Sequence, residues 1–144
     1  MTILNKQQIL DTIPHRWPFA FVDKIVELDP GVRAVGIKGV TYNEWFFPGH
    51  FPGFPIHPGV ITLETCAQVG VVALMSAPEY KEKRLLFAGI NNFRFRKPIF
   101  PGDSMRIEFT IIETKGRIII GSTKVTVEGE CAADGELTFA VDKE

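Results

Sequence analysis

The chain is 144 residues long, 45% apolar and 23% charged, with a formal net charge of −1. That length suits a single domain spanning 1–144, and the near-neutral balance lacks the basic excess of a nucleic-acid binder, so no nucleic-acid partner is expected. No apolar run approaches the ~18 residues of a membrane span, and the start carries no basic segment leading into an apolar core, so a cytoplasmic protein without a membrane span is expected.

Asn5 followed by Gln8 is a variant of the capping box, with Leu4 and Ile9 placed to staple it, and predicts a short helix over Lys6 to Thr12 that stops before Pro14. His15-Arg16-Trp17-Pro18 reads as a loop, with His15 a structural residue within it. Phe19 to Leu28 and Val32 to Tyr42 are rich in β-branched and aromatic residues and flank Asp29-Pro30-Gly31, which predicts a hairpin. Asn43 to Gly59 is dense in proline and glycine and carries His50 and His57. Such a backbone suits a rigid loop presenting a side chain.

Pro58-Gly59 then opens an apolar run to Ser76, expected to be a buried helix roughly 27 Å long that Pro78 ends. Beyond it, Leu85 to Arg96 is extended, with Phe93 and Phe95 on one face and Arg94 and Arg96 on the other. Pro101-Gly102-Asp103 marks a turn, Met105 to Ile111 alternates as a half-buried strand, and Gly116 breaks it. Arg117 to Val127 and Cys131 to Val141 are joined at Glu128-Gly129-Glu130. Asp134-Gly135 lies too close to that joint for a separate turn and is expected to be a bulge. The fold class is α+β, one long helix against about six mostly antiparallel strands, because strands and helices do not alternate as a parallel sheet requires.

Glu64 is a carboxyl on a buried helix, and Gln68 lies one turn on, on the same side, placed to bond it directly or through a water. A Glu kept neutral by burial can give a proton and a neutral His can take one, so His50 with Glu64 reads as an acid/base pair, or alternatively as a structural pair. His50, His57 and Glu64 are evenly spaced and suggest a two-histidine, one-carboxylate metal site, but the helical His-x-x-x-His spacing is absent and none is expected. Arg94, Arg96 and Lys97, with Lys81, Lys83 and Arg84 nearby, form either a solvated strand edge or a face for an acidic partner. Cys66 and Cys131 lie in apolar surroundings without metal-ligand spacing, which predicts reduced thiols.

Gly49-His50-Phe51-Pro52-Gly53, then Pro58-Gly59-Val60-Ile61, Glu64 and Ala67-Gln68, resembles the signature of the (3R)-hydroxyacyl-[acyl-carrier-protein] dehydratases of hot-dog fold. Pro14-His15-Arg16-Trp17-Pro18-Phe19, Val22-Asp23, Phe93 to Pro98, Pro101-Gly102-Asp103 and Glu136 to Ala140 follow in that family's order and spacing. The resemblance implies a helix wrapped by an antiparallel sheet in a homodimer, in which His50 of one chain meets Glu64 of the other; similar enzymes also form trimers of dimers. It implies a substrate carried on the phosphopantetheine arm of acyl carrier protein, with no metal and no organic cofactor. His50 would be the base, Glu64 the acid with Gln68 behind it, and the Gly59 amide a donor to the substrate carbonyl. Phe51, Phe54, His57 and Phe93 are the candidate acyl-tunnel residues, and Arg94, Arg96 and Lys97 the candidate carrier-docking residues. Glu64, where related dehydratase-isomerases carry Asp, favours dehydration alone. Phe54 and His57 depart from the family's usual residues and leave the acyl preference and the pathway open. A hot-dog acyl thioesterase and a non-catalytic acyl-binding subunit are the competing readings.

Overall fold

The computed structural model describes residues 1–142. Helix α1 (Lys6–Thr12) begins at a full capping box: the Asn5 side chain accepts from the Gln8 amide, and the Gln8 side chain accepts from the Asn5 amide at 2.8 Å. Strands β1 (Lys24–Asp29) and β2 (Arg33–Gly39) form the first hairpin, followed by helix α2 (Gly59–Met75) and strands β3 (Leu85–Phe95), β4 (Ser104–Lys115), β5 (Ile118–Val127) and β6 (Glu130–Val141). All six strands belong to one sheet in the order β1-β2-β4-β5-β6-β3, and every neighbouring pair is antiparallel. The sheet wraps around α2, which is the hot-dog arrangement.

The hairpin is shorter at both ends than its composition suggests. Phe19 to Val22 lie outside β1 because side chains take their backbone groups first: Gln68 binds Phe19 and Phe21, and Lys6 Nζ binds the Ala20 and Val22 carbonyls at 2.8 Å. At the other end Val40 leaves β2 to exchange hydrogen bonds with the Gly102-Asp103 turn, and Thr41 and Tyr42 are not strand.

The bulge expected at Asp134-Gly135 falls on the strand opposite. Between the Asn91–Glu136 and Arg94–Asp134 pairs β3 carries the extra residue, and Asn92 takes a φ of 51° there. Gly135 allows it, because a Cβ would meet the Phe93 Cα at 2.5 Å. The β5–β6 turn passes through Glu128 and Gly129, both at positive φ, as two-residue hairpin turns favour.

Helix α2 is buried along most of its length, as its apolar circumference requires, with one exception in its first turn, where Val60 is 72% exposed. Val69, Val72, Ala73 and Leu74 pack on Ile25, Ala34, Ile107, Phe109, Ile119 and Phe139 of the sheet. The Phe109 ring is enclosed by two glycines. A Cβ at Gly70 of α2 would stand 2.8 Å from it, and one at Gly121 of β5 would stand 2.1 Å from it. Neither position has room for a methyl group. Gly121→Ala is therefore expected to destabilise the chain by about 1–3 kcal/mol in denaturant unfolding, and Phe109→Leu in that background to recover part of the loss.

Candidate active site

The proline- and glycine-rich loop is anchored before it reaches His50. Phe46 and Phe47 are buried in the core, and Lys38, itself buried, holds Glu44 at 2.8 Å. A single 3₁₀ turn, Phe47–Gly49, then delivers His50, whose carbonyl accepts from the Ile56 amide at 3.1 Å. His50 Nδ1 lies 2.8 Å from the Ile56 carbonyl oxygen. That oxygen can only accept, so in the neutral ring Nδ1 carries the proton and Nε2 presents a lone pair. The Phe51 ring stacks on the imidazole at 4.0 Å between centroids and fixes its plane. The loop thus holds an imidazole aimed by its own backbone.

His50 opens into a cleft of about 300 Å³, lined also by Ile56, His57, Gly59, Phe95 and Lys97. Pro58 caps α2 without any side-chain hydrogen bond, and the amides of Gly59 and Val60 have no acceptor among the described residues. Gly59 is needed here because a Cβ would come within 2.9 Å of the Phe95 ring. Two free N–H groups at the positive end of a long helix therefore share the cleft with His50.

Glu64 and Gln68 stand elsewhere on the helix. Gln68 is fully buried, and both its N–H donors and its oxygen are hydrogen-bonded. Its Nε2 donates to the Phe19 carbonyl at 2.9 Å and to Glu64 Oε2 at 2.9 Å, and its Oε1 accepts from the Phe21 amide at 2.9 Å. Burial pushes the Glu64 carboxyl up from its ordinary value, and the Gln68 bond pulls it part of the way back. The imidazole facing Glu64 belongs to His15, with Nε2 3.6 Å from Oε2. Within one chain His50 makes no such contact with Glu64 among the described residues.

The remaining candidates scatter. His57 is buried, with Nδ1 2.8 Å from the Thr62 hydroxyl, while Nε2 has no partner among the described residues. Phe51 and Phe54 are half exposed outside the cleft wall, and Phe93 lies against Gly135 while Phe95 takes the place beside Gly59. Arg96 grips Asp134 through two nitrogens, and Lys97 pairs with Glu130 at 2.9 Å; of the three docking candidates Arg94 alone has no ion pair among the described residues. Sequence reasoning missed Phe95, Thr62 and the position of His15. The signal for His15 was present in its flanking prolines, which mark a second rigid loop much as the first is marked.

Residues 13–136 match the FabA-like domain. A 3-hydroxyacyl-[acyl-carrier-protein] dehydratase FabZ from Thermomicrobium roseum is 51% identical over 139 residues, covering 96% of this chain and 93% of that protein. One from Herpetosiphon aurantiacus is 48% identical, covering 96% and 99%. Among solved structures, the dehydratase heterocomplex ApeI:P from Xenorhabdus doucetiae aligns with a TM-score of 0.78 over 94% of this chain and 91% of that one, at 15% identity, a likeness of fold alone.

Burial of His57 has a consequence for stability. Desolvation, with the nearby Lys38 and His50, lowers its pKa from 6.5 to about 4, so the unfolded chain binds a proton that the folded chain refuses between those values. Stability contributed by the neutral ring is complete above pH 6.5 and is lost as pH falls toward 4. Replacing His57 with Met should flatten the fall in unfolding free energy over that window by about 2–3 kcal/mol. Unfolding curves of the two proteins at stepped pH measure it. The chain belongs to the FabA-like family and, within it, to the 3-hydroxyacyl-[acyl-carrier-protein] dehydratases.

Proposed function

We propose that this chain dehydrates (3R)-3-hydroxyacyl groups held as thioesters on acyl carrier protein, giving trans-2-enoyl thioesters and water in fatty acid or related lipid synthesis. The observation that carries the residue roles is the preset state of the two groups. His50 presents a bare Nε2, while burial favours the protonated form of Glu64. Elimination needs both, because the proton beside the carbonyl must be removed and hydroxide is a poor leaving group until it is protonated.

His50 takes the proton from the carbon next to the thioester carbonyl. Negative charge building on the carbonyl oxygen is met by the Gly59 amide at the start of α2. The C–O bond breaks as Glu64 gives its proton to the departing hydroxyl. Gln68 keeps the carboxyl in place, and Phe51, Phe54, His57 and Phe93 are the residues proposed to guide the acyl chain. No helix among the described residues is long and apolar enough to cross a membrane, and the enzyme is proposed to act in the cytoplasm.

The acid and base are proposed to meet between two chains. Among the described residues strand β3 pairs only with β6, and along it Leu86, Phe87, Ile90 and Phe95 are exposed. A long apolar edge strand invites a further strand, and the β3 of a second copy would continue the sheet. Closing that edge would also cover Val60, beside Gly59. Trimers of such dimers are a further level of assembly that light scattering would reveal.

Purified protein should raise enoyl absorbance from a (3R)-3-hydroxyacyl thioester; release of free thiol would instead identify a thioesterase, and an inert protein that binds carrier a scaffold. His50→Ala and Glu64→Gln should each cut turnover by about 10²-fold or more while leaving the dimer intact. Mixing the two inactive variants should restore part of the activity through exchanged dimers. Failure to complement, with exchange verified, would place both groups in one chain.

Arg94, Arg96 and Lys97 are proposed to receive the acidic carrier. The pairs of Arg96 and Lys97 are largely exposed, and exposed pairs are worth roughly 0–1 kcal/mol, so both cations can change partner. Reversing all three charges should raise KM for carrier-bound substrate about tenfold or more, with little change for a small soluble thioester. Equal loss on both substrates would remove the docking role.

A further inference from the structure

His15 has no task in the elimination as described, yet its placement is specific. It lies two residues after Ile13, which is buried in the core. Arg16 Nη1 donates to the Ile13 carbonyl at 2.9 Å and to the His15 carbonyl at 2.6 Å, and the Phe19 amide donates to the Arg16 carbonyl at 2.7 Å. Phe19 is in turn held by Gln68, the residue that also holds Glu64. One buried amide therefore sets both the acid and the loop that carries His15.

The ring is oriented as well as placed. Nε2 lies 3.6 Å from Glu64 Oε2, just beyond hydrogen-bond reach, and Nδ1 is buried with no partner among the described residues. A proton on Nδ1 would bury an unpaired N–H. A proton on Nε2 leaves only a lone pair to desolvate and directs the donor at the carboxyl. Resting contacts in such sites are often long and tighten as charge develops.

We propose that His15 is a positioning residue for the acid: its Nε2–H closes on Glu64 Oε2 as Glu64 gives up its proton, and it stabilises the carboxylate that forms. This rests on the reading of Glu64 as the acid. No proton passes to or from His15. The Glu64 proton joins the departing hydroxyl as water, the C–O electron pair leaves with that oxygen, and the proton from the neighbouring carbon goes to His50 while its bonding pair becomes the double bond. A neutral donor suits the position better than a cation. Lys or Arg here would hold Glu64 ionised before turnover and leave it no proton to give. Burial and the adjacent Arg16 both lower the pKa of His15, which keeps the ring neutral.

The test compares His15→Phe, which keeps the ring shape without a donor, with His15→Gln, whose amide N–H lies near the reach of Nε2, and uses Glu64→Gln as reference. Dehydration of a small (3R)-3-hydroxyacyl thioester is followed by enoyl absorbance, with melting curves for each protein. His15→Phe should lower kcat about 10- to 100-fold with KM changed by no more than about twofold, and His15→Gln should recover most of the loss. A kcat near wild type in His15→Phe overturns the proposal. So does a fully folded His15→Gln as slow as Glu64→Gln, a comparison that holds even where His15→Phe fails to fold. Wild-type turnover in Glu64→Gln would overturn the acid assignment itself, a result distinct from a normal His15→Phe beside an impaired Glu64→Gln.

Discussion

The buried amide of Gln68 is the interaction on which the rest of this structure depends. A primary amide carries two N–H donors and an oxygen acceptor, and inside a core each one left unpaired costs about 1–3 kcal/mol. Here the partners are the Phe19 carbonyl, the Phe21 amide and Oε2 of the Glu64 carboxyl. The first two come from a chain segment that would otherwise extend β1. Gln68 therefore delays the start of β1, turns Phe19 to Phe21 against the helix, and also holds the Glu64 carboxyl, the proposed acid. Its full satisfaction is what makes a polar group this deep in the core compatible with a stable fold.

The parts of the fold set by neighbours in sequence were legible, and the parts set by distant side chains were not. Asn5 and Gln8 cap α1 across two intervening residues, and the chain turns at Asp29-Pro30-Gly31 and at Glu128-Gly129, where Gly31 and Gly129 take the positive φ that glycine accepts. Phe19 to Asp23 has the composition of a strand, and no local rule announces that a glutamine far along the chain will take its hydrogen bonds. The bulge near Asp134-Gly135 was visible only as a dipeptide that permits close approach; that the extra residue sits in β3 follows from the register of two strands distant in sequence. The ion pairs of Arg96 and Lys97 arise from the same β3–β6 neighbourhood, so a cluster that reads as bare positive charge is largely paired in the fold.

Of the candidate site, residue types were readable and distances were not. His50 and Glu64 stood out because a proline- and glycine-rich loop and an apolar helix are unusual settings for them. His15 stood in an equally rigid loop, but its relevance depends on a contact with Glu64 that only the packing of Phe19 to Phe21 creates.

Helix geometry gives the reason why the site divides as it does. Gly59 and Glu64 are five positions apart on α2, an offset of about 7.5 Å along the axis and about 140° around it. The helix start thus faces the His50 loop and Phe95, while the carboxyl faces the Gln68 clamp and His15. Within one copy His50 and Glu64 form no hydrogen bond or ion pair among the described residues. The His50 loop is tied to the buried connection between β3 and β4 through the bond from the His57 amide to the Ile99 carbonyl at 2.8 Å, which holds it on its own side of the helix. The proposed base and acid stand on different sides of one helix, and the apolar β3 edge and exposed Val60 are the surfaces that the proposed second copy would cover. On that argument the proposed dimer would be a condition of the proposed chemistry, because it would bring a proton acceptor and a proton donor to one substrate.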